Sequence, residues 1–181
     1  MSHLIYLIGP PGVGKSTAMR AATSEWAAVP AKSMAHRVPY TQLVDRDGIV
    51  RAIELGTRRD PFGGTDAMSM SIGPAAADFL ASQPHPLVLG EGQRLATRPF
   101  LEAAVRYGYW VTLVALSLTE EQLAERWAGR GTEQAPGWRK GALTRVRNIA
   151  GWAANQTGIL VVSLDASGPP GFIGDEIRDL M

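Results

Sequence analysis

The sequence predicts a single α/β domain over residues 1–181, in which a parallel β-sheet of about five strands is flanked by helices. Three observations support this. The chain has 181 residues, a length that suits one domain with its own core. Short apolar runs, typical of strands buried on both faces, alternate along the chain with helical patterns, and this alternation predicts βαβ units. A glycine-rich turn joins the first apolar run to the first helical pattern.

The amino-terminal part begins with a strand and a helix and continues with two more strands. Residues 4–8 form a continuous apolar run, and residues 15–28 then carry apolar side chains at helical spacing. Residues 38–44 and 49–55 have the pattern of two strands that flank a turn. Pro39 confines the first of these to a sheet edge or stands at its start, because proline has no N–H to donate.

The rest of the chain continues the alternation. Residues 58–66 are polar and glycine-rich and are predicted to form a loop. Strands are predicted over residues 87–90, 109–116 and 159–164, and helices over residues 74–82, 97–107, 119–129, 141–155 and 172–180. Thr97 is expected to cap its helix, and Thr119 with Gln122 forms a capping box.

Composition excludes several classes of protein. The chain has no cysteine, which excludes disulfides and thiolate zinc sites and fits a reducing cytoplasm. No apolar run approaches the ~18 residues that a membrane span requires. The start lacks the pattern of a secretion signal. We therefore expect a cytoplasmic protein with no membrane partner. The oligomeric state stays open.

The glycine-rich turn matches the phosphate-binding pattern G-x-x-x-x-G-K-[ST]. Its residues are Gly9, Pro10, Pro11, Gly12, Val13, Gly14, Lys15, Ser16 and Thr17. Glycines let the backbone N–H groups converge on a phosphate, and the following helix adds its positive end. Lys15 can reach the β- and γ-phosphates, and the Ser16 hydroxyl can ligate Mg²⁺. The pattern predicts a P-loop NTPase fold that binds a nucleoside triphosphate, such as ATP, with Mg²⁺.

Two carboxylates are candidates for the chemistry. Glu91 ends the strand over residues 87–90, where an acid of this fold faces the γ-phosphate and can hold magnesium or accept a proton. Asp66 follows a glycine pair in the loop where an acceptor would bind. It is either the base that deprotonates the acceptor or a turn cap. The residues alone do not choose between Glu91 and Asp66.

Arginines are expected around the acceptor and over the triphosphate. Four of them are candidates for binding the acceptor, namely Arg58, Arg59, Arg94 and Arg145. Arg126 and Arg130 lie four residues apart on one helical face, a pattern that resembles the lid of adenylate-kinase-like enzymes. Residues 126–147 contain six basic residues and one acid, so we predict an arginine-rich lid there.

The phosphate-binding loop, the acid at the strand end and the arginine pair together resemble the P-loop kinase superfamily. Three segments carry a narrower resemblance: residues 63–66 (Gly-Gly-Thr-Asp), residues 91–95 (Glu-Gly-Gln-Arg-Leu) and residues 145–148 (Arg-Val-Arg-Asn). They look like P-loop kinases of bacteriophages, some of which phosphorylate 5-hydroxymethyluracil in DNA. That resemblance implies a DNA-modifying enzyme in a host cytoplasm, with an acceptor base brought out of the duplex.

We therefore expect a kinase that transfers the γ-phosphoryl group of ATP to a hydroxyl of a nucleoside, a nucleotide or a modified base in DNA. A kinase of another small metabolite is the alternative within the class. A P-loop ATPase or nucleotide switch without kinase activity is the alternative outside it. Turnover of ATP with and without acceptors distinguishes these hypotheses.

Overall fold

The computed structural model describes residues 2–58, 64–82, 85–129 and 136–181, and the side chains of all of these except 129 and 136–139. In chain order the strands are β1 (Ser2–Ile8), β2 (Ala27–Lys32), β3 (Pro39–Val44), β4 (Val50–Leu55), β5 (Leu87–Glu91), β6 (Tyr109–Ser117) and β7 (Ile159–Asp165). The helices are α1 (Lys15–Ala22), α2 (Gly73–Ser82), α3 (Arg98–Arg106), α4 (Glu120–Gly129), α5 (Pro136–Ala153) and α6 (Pro170–Arg178). A short 3₁₀ turn covers Thr65–Ala67.

Within the described ranges the strands form one seven-stranded sheet in the order β2-β3-β4-β5-β1-β6-β7. Neighbouring strands from β4 to β7 are parallel, whereas β2 pairs with β3 and β3 with β4 in antiparallel fashion. The prediction of about five strands is therefore wrong as a count. The parallel part follows from the βαβ alternation, and the antiparallel pair extends it beyond β4.

The extra strand β2 lies where the sequence predicts the end of a helix over residues 15–28. Helix α1 instead ends at Ala22, and the Thr23 hydroxyl donates to the Met19 carbonyl oxygen at 2.8 Å. Pro30 explains why β2 is an edge strand, since a residue without an N–H suits an open edge. Pro39 is the first residue of β3, and a strand start is one of the two positions that were expected for it.

Strand β1 lies at the centre of the sheet, and its side chains alternate between two apolar layers. Leu4, Tyr6 and Ile8 face a cluster that includes residues of α2, α3 and α5. Ile5 and Leu7 face a second cluster that includes residues of α1 and α6. Helices therefore cover both faces of the sheet, and the carboxyl ends of the parallel strands meet at one edge, where such folds bind ligands.

Two helix starts test the expected caps. At α4, the Gln122 N–H donates to the Thr119 hydroxyl at 3.2 Å and the Thr119 N–H donates to the Gln122 side-chain oxygen at 3.0 Å, which confirms the capping box. At α3, Thr97 occupies the N-cap position, but its side chain makes no capping hydrogen bond. Helix α5 begins at Pro136, earlier than the expected residue 141. None of the helices in the described ranges has the length and apolarity that a bilayer crossing requires.

Candidate active site

The phosphate-binding loop connects the end of β1 to the start of α1. Gly12 and Gly14 have φ angles of +84° and +102°, in the region that favours glycine. A Cβ atom on Gly12 would also lie 2.9 Å from the Trp127 ring nitrogen. Gly14 is the N-cap of α1 and makes no side-chain cap, so the N–H groups of the first turn face outward from the helix end. The loop is thus built to receive an anion.

Lys15 begins α1 and is 8% exposed. Its ammonium group donates to the carbonyl oxygens of Gly9 at 3.1 Å and Pro10 at 3.3 Å. These contacts hold the positive charge beside the loop that would carry the triphosphate. A buried lysine placed there can neutralise phosphate oxygens without a large rearrangement.

Glu91 is the last residue of β5 and pairs in register with Leu7 of β1. It is 2% exposed, and the Ser16 hydroxyl donates to its Oε1 at 2.7 Å. Burial raises the pKa of the Glu91 carboxyl, and Glu54 and Asp66 raise it further, whereas Lys15 and the Ser16 hydrogen bond lower it. The structure therefore brings together the expected lysine, hydroxyl and strand-end acid.

These residues fit the magnesium ion that the sequence predicts. Ser16 and Glu91 offer hard oxygen ligands at adjacent positions. In the part of the chain that the structure describes, no cluster of three or more His, Cys, Asp or Glu side chains could form a metal cage. Magnesium usually binds through one or two protein oxygens together with substrate phosphates, so this small donor set suits it.

Asp66 belongs to the 3₁₀ turn over Thr65–Ala67 and lies near Glu91. Its Oδ1 accepts hydrogen bonds from the backbone N–H groups of Gln93 at 2.7 Å and Arg94 at 3.3 Å. The neighbouring Thr65 donates to the Glu91 carbonyl oxygen at 2.8 Å, and its hydroxyl also lies 2.7 Å from the Tyr6 hydroxyl. Asp66 thus fixes the loop after Glu91, which matches the turn-cap alternative. Its role as a base stays a prediction.

The arginines expected at the acceptor make internal contacts. Arg58 donates through Nε to Glu54 Oε2 at 2.7 Å and through Nη2 to the Thr23 hydroxyl. Arg94 donates through Nε to the Met68 carbonyl oxygen at 3.2 Å, and Arg145 donates to the Gln93 side-chain oxygen at 3.3 Å. Arg59 lies outside the described residues.

Sequence reasoning missed Glu54, which lies in β4 and is 3% exposed. Burial raises the pKa of its carboxyl, and the charges of Arg58 and Arg20 lower it. A narrow depression beside the loop, which we call the Glu54 recess, has mostly polar lining residues and no room for a water molecule. The described lining residues are Ser16, Arg20, Glu54, Arg58, Gly64 and Glu91. An acid inside the otherwise apolar end of a strand, Ala-Ile-Glu-Leu, is the signal that could have identified it.

Arg126, one of the two predicted lid arginines, contacts the phosphate-binding loop. It donates to the carbonyl oxygens of Val13 and Ala166, each at 2.9 Å, and so joins the loop to the segment after β7. Trp127, another residue missed in the sequence, donates to the Pro11 carbonyl oxygen at 2.8 Å. Arg130 and the rest of residues 130–135 lie outside the described residues, so the lid stays a prediction.

A cavity of about 280 Å³ adjoins the loop at this point. We call it the Arg126 cavity. Its lining combines Gly12, Val13, Gly14, Thr17, Ala18 and Arg126 with Ala166, Gly168, Pro170 and Ile173 from the β7–α6 region. The phosphate-binding loop therefore lies between two spaces, this cavity and the Glu54 recess.

Comparison with known proteins identifies a family and two similar folds. A family model described as P-loop Nucleotide Kinase3 matches residues 1–174. An unliganded sugar kinase from Janibacter sp. HTCC2649 aligns with a TM-score of 0.56 and 15% identity, covering 99% of this chain and 94% of that one. A gluconokinase from Sinorhizobium meliloti 1021 aligns with a TM-score of 0.55 and 18% identity, covering 98% of this chain and 90% of that one. No curated protein sequence matches the chain.

Proposed function

Because the chain belongs to the P-loop nucleotide kinase3 family, we propose that it is an ATP-dependent kinase that phosphorylates a hydroxyl of a small molecule. One observation carries this proposal. A buried carboxylate, Glu91, lies at the end of the strand next to the phosphate-binding loop and is hydrogen-bonded to Ser16. This position supports the proposal that Glu91 accepts a proton beside the bound phosphates.

The proposed reaction is an in-line displacement. The acceptor hydroxyl oxygen forms a bond to the γ-phosphorus while the bond from that phosphorus to the β–γ bridging oxygen breaks. The hydroxyl proton passes to a carboxylate, and the products are a phosphate monoester and ADP. Lys15 and the loop N–H groups stabilise the charge on the transferred group. When bound at Ser16, magnesium would neutralise phosphate charge and lower the cost of bringing the acceptor close.

Glu91 is the better candidate for the base of the two carboxylates left open by the sequence. It lines the Glu54 recess, and burial raises its pKa toward the range in which a carboxylate takes up a proton effectively. Asp66 has one oxygen engaged by two backbone N–H groups. We assign Asp66 to positioning the Gly92–Arg94 loop.

The nucleotide base and ribose of ATP are proposed to occupy the Arg126 cavity, and the acceptor is proposed to bind on the Glu91 side of the loop. The aligned structures are named as a sugar kinase and a gluconokinase, which supports a small metabolite as acceptor. Two other kinds of acceptor stay predictions. One is a nucleoside or nucleotide, and the other is the hydroxymethylated base in DNA that the phage resemblance implies. So do the single domain over residues 1–181 and the cytoplasmic location.

Incubation with γ-labelled ATP and an acceptor panel tests the proposal. The panel contains sugars, polyols, sugar acids, nucleosides, nucleotides, plain DNA and hydroxymethylated DNA, and mass spectrometry identifies the product. We expect label in one acceptor class and little hydrolysis of ATP alone. Steady hydrolysis of ATP without any acceptor would instead favour a P-loop ATPase or switch.

Three variants assign the roles. Lys15→Ala should abolish transfer. Glu91→Gln should lower kcat by roughly 10²–10⁴-fold with little change in nucleotide affinity, since it removes the proton acceptor but keeps a hydrogen-bond partner for Ser16. Asp66→Asn should have a smaller effect, because the amide oxygen still accepts from the loop. A larger loss of kcat for Asp66→Asn than for Glu91→Gln would reverse the assignment of the base.

A further inference from the structure

The phosphate-binding loop of this chain has few backbone donors ahead of α1. Pro10 and Pro11 have no N–H, so neither can donate to a phosphate. The Val13 N–H already donates to the Pro10 carbonyl oxygen at 3.3 Å. Between residues 10 and 14, Gly12 and Gly14 therefore supply the donors that are left for a phosphate. The loop can hold a phosphate well only if these two N–H groups point toward it.

Helix α4 fixes the peptide unit that carries the first of these donors. The Trp127 ring nitrogen donates to the Pro11 carbonyl oxygen at 2.8 Å. That carbonyl belongs to the same peptide unit as the Gly12 N–H, and in a trans peptide the C=O and N–H bonds point in opposite directions. Because the Pro11 carbonyl points toward α4, the Gly12 N–H points away from the helix and toward the inside of the loop.

Arg126 acts on the second donor in the same way. Its Nη1 donates to the carbonyl oxygen of Val13 at 2.9 Å, and this carbonyl shares its peptide unit with the Gly14 N–H. Arg126 also donates to Ala166 and lines the Arg126 cavity, so a change there alters two parts of the site. Trp127 is not among the described residues of that lining. It is therefore the residue at which the effect on the loop can be isolated.

We infer that Trp127 is a positioning residue for phosphate binding. Its indole N–H holds the Pro11 carbonyl outward and thereby aims the Gly12 N–H at the phosphates of the nucleotide. The indole suits this task because it has one donor and no acceptor, so it cannot compete with a phosphate for the Gly12 N–H. This role rests on the proposed function, in which the loop holds a triphosphate.

Trp127→Phe removes the indole N–H and keeps an aromatic ring beside the loop. The Kd values for magnesium-loaded ATP and tripolyphosphate, measured by isothermal titration calorimetry, should both rise by about tenfold, the scale of one hydrogen bond to a charged group. Trp127→benzothienylalanine, made by site-specific incorporation, replaces the N–H by sulfur in a ring of the same shape and should give the same rise. Trp152→Phe is the matched control, because Trp152 is also a half-buried helical residue but packs against Arg98.

The titration separates positioning from a purely structural role, because it reports the Kd of the folded protein and the folded fraction independently. A structural role would lower the stoichiometry or the Tm and leave the Kd unchanged. Unchanged Kd values in both Trp127 variants would overturn the inference. A rise for ATP without a rise for tripolyphosphate would overturn it as well, since the contact would then concern the base or the ribose. If the original protein binds neither ligand, the proposed function itself fails, and the role of Trp127 falls with it.

Discussion

At the scale of single residues, Gly64 determines the space available to the Glu91 carboxylate. Its φ angle is +59°, and a Cβ atom built there would overlap Glu91 Oε1, the atom that accepts from Ser16. The Thr65 hydroxyl next to it holds the Glu91 carbonyl oxygen. Because Gly64 has no side chain, the Glu91 carboxylate can occupy the position next to it.

Gly64→Ala should lower kcat by roughly 10²-fold, because a displacement of a reacting group by about 1 Å can cost that much. The KM for ATP should change little, since the phosphate-binding loop is untouched. Gly48→Ala is a matched control, with a φ angle of +78° and nothing within 4 Å of the added Cβ. It also has a positive φ angle but lacks the contact with Glu91. Equal losses of kcat in the two variants would show that Gly64 does not position Glu91.

The buried acids Glu54 and Glu91 also predict a pH dependence of stability. Burial raises both pKa values above the usual 4.5 of glutamate. A group with a raised pKa in the folded state stabilises the fold below its unfolded pKa, and this contribution is lost as the pH rises through the folded pKa.

We therefore expect Glu91→Gln to gain stability relative to the original protein as the pH rises above about 4.5, until the folded carboxyl is fully ionised. Urea unfolding of the nucleotide-free protein across this range measures the difference. Glu102→Gln, at an exposed position of α3, is the control and should show no such trend. If the difference in the free energy of unfolding between Glu91→Gln and the original protein does not change with pH, the burial argument is wrong.

At the scale of secondary-structure elements, α4 connects the phosphate-binding loop to the segment after β7. Arg126 donates to Val13 of the loop and to Ala166, and Trp127 donates to Pro11. The capping box that starts α4 was readable from Thr119 and Gln122, because both partners lie within one turn. The contacts of Arg126 and Trp127 with the loop join residues that are more than a hundred positions apart in the chain. Helical spacing alone does not indicate such distant partners.

Removal of the Arg126 contacts should weaken both stability and nucleotide binding. Arg126→Ala breaks two charge-assisted hydrogen bonds, so we expect a loss of about 2 kcal/mol in the free energy of unfolding. The KM for ATP should rise, since the loop and the wall of the Arg126 cavity lose their common support. Arg46→Ala, at an exposed turn, removes the same charge and is the control. A lid role alone would raise the KM without changing the stability of the nucleotide-free protein.

At the scale of the whole molecule, sequence reasoning identified the parallel part of the sheet and the position of the loop. Buried strands, glycines and helix starts are local features with a local physical cause. It misplaced the end of α1 and missed β2, because Ala27 and Ala28 suit either element and the pairing with β3 is a tertiary contact. The role of Glu54 was missed for a similar reason, since only the folded sheet brings β4 beside β5.

Ligand binding should stabilise the folded chain as a unit. A ligand that binds the folded state alone, at about 100 times its Kd, adds about 2.7 kcal/mol to the free energy of unfolding. For a domain of this size each kcal/mol raises the Tm by roughly 2–4 °C, so saturating ATP with magnesium should raise the Tm by roughly 5–11 °C. Differential scanning fluorimetry measures the shift. Chelation of magnesium should reduce it, and Lys15→Ala should nearly abolish it, because the loop then lacks its counter-charge. An equal shift in Lys15→Ala would place the bound nucleotide away from residues 9–17, and the assignment of the whole site would fail with it.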